Sequence, residues 1–306
     1  MPTSKDLRNI KMETAVVQWT HKTTRKLSHQ LQRQGFVIGH MTVRRLLKAR
    51  KYSLRTNRKR LAGVQDPERD RQFRYLDRLR RLFLKRGEPV LSVDTKKKEL
   101  VGNFKNPGRG GRREWRDVLD HDFPSTAQGH AIPYGIYDIG QKAGFVVIGT
   151  SPETPQFAVA AIRRWWKAVG RVCYPATHRV LIEADCGGAN DSRKWAWKAA
   201  LQDLADETGL AITVTHYPPG ASKWNPIEHR LFSLISKNWA GEPLVSYETM
   251  LKFIRTTKSE AGVRCRACLD ARVYKTGLTI SQEERTSINL VPRKVLPQWN
   301  YSLHPR

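Results

Sequence analysis

Asp94 and Asp185 each close an otherwise apolar run, Leu91-Ser92-Val93-Asp94-Thr95 and Leu181-Ile182-Glu183-Ala184-Asp185-Cys186-Gly187-Gly188. Short apolar runs of this kind read as buried strands. In open α/β sheets, ligands bind in the crevice outside the carboxyl ends of the strands. One aspartate at such a place also fits a turn. Two in one domain fit a hard divalent cation, which needs several carboxylate oxygens. Glu228 offers a third carboxylate, in Ser222-Lys223-Trp224-Asn225-Pro226-Ile227-Glu228-His229. Asn225 reads as a helix N-cap and Pro226 as the first helical residue, so Glu228 falls in the first turn. Counting on by four, seven and eleven residues reaches Phe232, Ile235 and Trp239. A carboxylate on that apolar stripe is costly unless it is paired or metal-bound. Attraction to the helix N-terminus explains the first turn but not the apolar face.

These acids need a sheet to hold them. The spacing of apolar residues predicts strands over 90–95, 131–139, 145–150, 179–184 and 210–215, and helices over 157–169, 191–208 and 226–239. Strands first, then alternating helix and strand, indicate a mixed α/β sheet with helices on its faces. Residues 108–113, rich in Gly and Arg, fall between strands as a turn or loop. Upstream, Leu27 and Leu31 share a helix face between Thr23 and Gln34, and Gly35 breaks it. A second helix from about Met41 carries Val43, Leu46 and Leu47 on its apolar side. Two short helices joined by a glycine-containing turn form a helix-turn-helix pattern. Arg44, Arg45 and Lys48 lie off the apolar stripe, where they can reach phosphates or base edges. Residues 66–86 read as a charged connecting helix. The expected division is a helix-turn-helix region over 1–65, a connector over 66–88, and a catalytic domain with a C-terminal extension over 89–306.

Charge supports a polyanionic partner. The 306 residues carry a formal net charge of +27. Residues 1–90 hold 24 Lys and Arg against 7 Asp and Glu, so the excess is concentrated at the N-terminal side. Nucleic acid is the commonest partner of such a chain. The longest apolar run, 157–162, falls far short of the roughly 18 residues of a membrane span. The first 20 residues also lack the apolar stretch of a signal peptide, so a cytoplasmic, nucleoid-associated protein is expected. The four cysteines do not form a disulfide scaffold. Cys265 and Cys268 make a lone CxxC without the second ligand pair that structural zinc requires.

Several longer stretches carry a resemblance. Ser92-Val93-Asp94-Thr95-Lys96-Lys97-Lys98-Glu99-Leu100-Val101-Gly102, Ile132-Pro133-Tyr134-Gly135-Ile136-Tyr137-Asp138, Arg163-Arg164-Trp165-Trp166, Ala184-Asp185-Cys186-Gly187-Gly188 and His216-Tyr217-Pro218-Pro219-Gly220-Ala221-Ser222-Lys223-Trp224-Asn225 resemble the Rhodopirellula-type DDE transposase family of bacterial insertion sequences. The resemblance runs from about Trp19 to Tyr301. It implies an RNase H-like catalytic domain, two Mg²⁺ or Mn²⁺ ions, and double-stranded DNA as partner: transposon terminal inverted repeats and target DNA. It also implies Asp94, Asp185 and Glu228 as the catalytic, metal-binding triad, and a homo-oligomer on DNA. Two departures stand out. Cys186 occupies a place where the family usually has Gly, and the family tends to have more sequence before the helix-turn-helix.

On that reading, Asp94 bridges both ions while Asp185 and Glu228 hold one each. Two ions roughly 3.5–4 Å apart then support in-line displacement at phosphorus. Water frees a 3′-OH at the element's end, and that 3′-OH attacks target DNA. Lys96, Lys97 and Lys223 are expected to hold phosphates as point charges, with Lys98 beside them. Glu183 and Asp138 compete as ligands, and His216 and His229 compete as supporting groups. Trp165, Trp166, Trp195 and Trp197 read as packing more readily than as base-stacking platforms. Two other functions remain open at this point. One is an inactive or truncated remnant that binds transposon ends as a repressor. The other is a nuclease that cuts without joining.

Overall fold

The computed structural model describes residues 22–55, 66–111 and 113–306. The chain divides into two compact units, Met1–Leu61 and Ala62–Arg306. The expected 1–65 region and its basic run 51–60 lie partly outside the described residues.

In the first unit, helix α1 spans Thr24–Arg33 and helix α2 spans His40–Ala49. Thr23 caps α1 by accepting the Lys26 N–H, as its position at the head of the apolar pattern suggests. Gly35 takes φ +90, which opens the turn between the helices. Ser28 Oγ and Gln32 Nε2 both donate to the Ile38 carbonyl, at 2.7 and 3.0 Å, and tie that turn back onto α1. Val43 is buried, while Arg44, Arg45 and Lys48 are exposed.

The second unit is built on one mixed sheet. Helix α3 (Arg69–Lys85) leads into β1 (Val90–Thr95), β2 (Glu99–Val101), β3 (Gly129–Asp138) and β4 (Ala143–Gly149). Then come α4 (Pro155–Trp165), a π turn at Trp166–Gly170, α5 (Arg171–Cys173), β5 (Arg179–Ala184), α6 (Trp195–Thr208) and β6 (Ala211–His216). The chain finishes with α7 (Ser233–Asn238), α8 (Tyr247–Thr256), β7 (Arg264–Asp270), α9 (Gln282–Ser287), β8 (Leu290–Pro292) and β9 (Asn300–Leu303). The strand order is β7-β4-β3-β1-β5-β6-β9-β8, with β2 paired to β3. β3 is antiparallel to β1 and β4, whereas β5 and β6 run parallel to β1. This is the mixed sheet flanked by helices expected of an RNase H-like domain.

Alternation along the strands splits the core in two. Phe145 and Val147 face α4 and α6, where Phe157, Trp165, Trp197 and Leu201 pack. Val146 and Ile148 face the opposite side, covered by Leu231, Ile235 and the buried face of α8. Parallel β1 and β5 are buried on both faces, which explains their continuous apolar runs. Helix α3, expected as a connector, is part of this packing: Leu79 and Phe83 close over Val90 and Leu181.

Cys265 and Cys268 lie on β7. Three positions apart on a strand, they point to opposite faces and cannot grip one ion together. Among the described residues, no helix is long and apolar enough to cross a membrane.

Candidate active site

Parallel pairing of β1 and β5 sets the two aspartates side by side. Ser92 is in register with Glu183, and Asp94 and Asp185 each come two residues later, at the carboxyl ends of neighbouring strands. Ser92 and Asp94 share a face of β1. On that face Ser92 Oγ accepts the Ile227 N–H at 2.9 Å and bonds the Asn225 side-chain oxygen, while Asn225 Nδ2 donates to the Val93 carbonyl at 3.0 Å. These bonds bolt the start of the Glu228 helix onto β1. Gly135 makes the close approach possible. It pairs with Asp94 across β3, and a Cβ there would lie 2.4 Å from the Phe232 ring and 2.8 Å from Ile227.

The helix departs from the expected geometry in two ways. Asn225 stands at the N-cap position, just before the first helical residue Pro226, and its carbonyl accepts the Glu228 N–H, but its side chain is spent on β1 and caps no helix N–H. Residues Glu228–Phe232 form a π turn that runs into α7. A π turn inserts an extra residue into the helical repeat; Phe232, Ile235 and Trp239 are buried as the count expects, and Ile227 and Leu231 join them. Glu228 therefore sits half-buried at the margin of the apolar face and not within it.

The electrostatics show three acids in one field. Asp94 is 8% exposed. Burial pushes its carboxyl up from 3.8 to about 8, with the Asp185 charge next and smaller contributions from Glu228 and Glu153; the Thr95 N–H, donating to Oδ1 at 2.7 Å, opposes this. Burial likewise pushes Asp185 up to about 6; the Gly187 N–H and Asn190 oppose this, and Glu153 adds to it. Asp185 Oδ1 is buried without a hydrogen-bond partner among the described residues. Buried carboxylates that repel one another, one with an orphaned oxygen, suit a hard divalent cation. The described residues nevertheless contain no group of three His, Cys, Asp or Glu already drawn close enough to grip one ion.

The competing acids are otherwise engaged. Glu183 is fully buried and held by Arg80 at 2.8 and 2.6 Å, and it accepts the Tyr217 hydroxyl at 3.0 Å. Asp138 accepts the Tyr174 hydroxyl at 2.9 Å and the Gln141 N–H at 3.1 Å. His216 is buried beneath the site, its ring nitrogens bonded to the Asp185 carbonyl at 2.8 Å and to the Tyr301 hydroxyl at 3.0 Å. Burial lowers its pKa from 6.5 to about 4, so the ring is neutral near pH 7. His229 is exposed and bonds the Lys223 carbonyl.

The expected phosphate contacts divide. Lys97 and Lys223 are exposed, and Lys223 lies 5.6 Å from the centre of the half-exposed Trp224 ring. Lys96 is turned inward instead. It is 8% exposed, paired with Glu99 at 2.8 Å and set over the Trp239 ring at 4.5 Å, so it is not a surface phosphate contact. Cys186 Sγ lies 3.9 Å from Ser192 Oγ, and burial pushes its thiol up to about 12, which keeps it protonated. Trp165 and Trp197 are buried packing residues, and Trp166 packs partly buried against the same core. Trp195 is half-buried beside Lys198 and Arg285, at 4.6 and 5.5 Å. The acid that sequence patterns missed is Glu153, one residue before the α4 cap Thr154; no local signal marks it.

Comparison with solved structures returns Mos1 transposase complexes. A Mos1 transposase paired-end complex with the left transposon end matches with TM-score 0.46 and 14% identity, over 76% of this chain and 65% of that one. The Mos1 mariner paired end complex with Mn gives 0.43 and 17% over 76% and 65%, and the Mos1 strand transfer complex gives 0.44 and 15% over 76% and 64%. The chain thus spans just under two thirds of the length of these structures. No curated protein matches the sequence. Residues 8–305, nearly the whole chain, match the Rhodopirellula transposase DDE domain, and the chain belongs to that family.

Proposed function

We propose that this protein is a transposase that cleaves transposon ends and transfers the freed 3′-OH strand to target DNA, with Asp94, Asp185 and Glu228 as the groups that hold its divalent cations. The observation that carries the reading is the pair of buried, mutually repelling aspartates at the ends of β1 and β5, with Glu228 in the same field. When bound, two Mg²⁺ or Mn²⁺ ions supply a Lewis acid for the attacking oxygen and a counter-charge for the leaving one. The protein's own work is to keep the carboxylates poised. Thr95 fixes one oxygen of Asp94. Neutral His216 holds the Asp185 carbonyl without adding a positive charge that would compete with the cations. Ser92 and Asn225 hold the Glu228 helix to β1. Lys97 and Lys223, exposed beside the acids, meet DNA phosphates.

The first unit serves DNA recognition. Its two helices have the helix-turn-helix spacing, and Arg44, Arg45 and Lys48 are exposed on the second. The working form is a homo-oligomer on DNA, since two ends must be brought together. Asp94→Asn, Asp185→Asn and Glu228→Gln should each abolish cleavage of a transposon-end duplex while leaving its binding within a few-fold of wild type. Cleavage retained by any of the three would remove that residue from the site. Binding without cleavage by the wild-type protein, with Mg²⁺ supplied, would favour the repressor reading instead.

A further inference from the structure

Glu153 lies on the segment between β4 and α4 and reaches the turn that follows Asp185. Its Oε1 accepts the Ala189 N–H at 3.1 Å. Gly188, at φ +57, sits directly beneath it: a Cβ there would come within 2.5 Å of Oε1. The turn is thus shaped so that a carboxylate can press against it, and it is tied from outside by Lys194 Nζ, which donates to the Gly188 carbonyl at 2.7 Å. The second oxygen, Oε2, makes only a loose 3.8 Å pair with the exposed Lys98. Glu153 itself is largely buried, at 18% side-chain exposure. Independently, Asp185 keeps one buried oxygen without a partner among the described residues. The Glu153 charge acts on both Asp185 and Asp94.

We infer that Glu153 is a fourth acidic member of the cation site, a positioning residue that braces the 187–189 turn behind Asp185 and adds its negative charge to the field that draws in the metal. The inference rests on the proposed transposase site. A carboxylate used only as a hydrogen-bond acceptor for Ala189 could be replaced by an amide without loss. A carboxylate whose charge matters could not.

The test is Mn²⁺ binding by calorimetry on the full chain without DNA, alongside circular dichroism to confirm folding. Glu153→Gln preserves an acceptor for Ala189 and removes only the charge. It should weaken Mn²⁺ binding by about tenfold or more, in the range seen when groups supporting metal ligands are removed. Gly188→Ala leaves Glu153 in the chain but drives a methyl into Oε1, and should weaken binding similarly. Wild-type affinity in a folded Glu153→Gln variant would overturn the inference. Wild-type affinity in Gly188→Ala would overturn the bracing part. If wild type binds Mn²⁺ and Asp94→Asn does not, the proposed site stands whatever Glu153 does. If wild type fails to bind Mn²⁺, both readings fall together.

Discussion

Cation binding at this site should be linked to proton release, and the size of the linkage follows from Asp94. Its carboxyl is raised from 3.8 to about 8, chiefly by burial and then by Asp185. Below that pH the metal-free site holds a proton that a cation must displace, so affinity should rise with pH until Asp94 is ionised. A group titrating near 8 is about 1% ionised at pH 6 and about half ionised at pH 8, which predicts a roughly 50-fold gain in affinity over that interval. Asp185, at about 6, adds only about another factor of two. The stability of the metal-free protein should move the other way. The unfolded chain loses this proton near 3.8 and the folded one near 8, so stability is greatest below 3.8 as far as this group is concerned and declines as pH rises to about 8. The full effect is on the order of 5 kcal/mol. Asp94→Asn should therefore stabilise the metal-free protein at pH 8 while destroying Mn²⁺ binding. Calorimetric Mn²⁺ titrations from pH 6 to pH 8, in buffers of different ionisation enthalpy, measure both the slope and the proton released. An affinity that stays flat over this range would refute the reasoning.

Three further predictions follow from the supporting structure. His216, with its pKa lowered from 6.5 to about 4, stabilises the fold above 6.5, and that stability should be lost as pH falls towards 4; the loss is about 3 kcal/mol by urea unfolding, and its persistence in His216→Asn would assign it elsewhere. Arg80→Ala should cost about 3–5 kcal/mol, because it leaves Glu183 buried and unpaired, and a second change, Glu183→Gln, should recover much of the loss in a double-mutant cycle. Gly135→Ala should force the Glu228 helix off the sheet at Phe232 and Ile227, lowering cleavage by at least tenfold with the protein still folded; unchanged cleavage would show that the helix can retreat without cost.

What the sequence revealed depended on how local each signal was. Val90–Thr95 and Arg179–Ala184 were legible to the residue, because strands buried on both faces are written as unbroken apolar runs. The two aspartates were legible for the same reason, since they end those runs. The π turn at Glu228–Phe232 has no local signature, so counting by ordinary helical steps found the buried Phe232, Ile235 and Trp239 but not that Glu228 itself is only half-buried beside them. Asn225 has the residue type of a cap, but Ser92, 133 residues away in sequence, claims its side chain. Lys96 looked like its neighbours Lys97 and Lys98, and only Glu99 and the distant Trp239 explain why it turns inward. Glu153 was illegible because it meets Ala189 across 36 positions of the chain. Helix α9 was a different kind of omission: the capping box of Ser281 and Glu284 was readable in the sequence.

The most direct test is a strand-transfer assay with the element's own end sequence and a target duplex, run with Mg²⁺, with EDTA, and with Asp94→Asn. Joined product is expected with wild type and Mg²⁺ alone. Joined product in EDTA, or from Asp94→Asn, would contradict it.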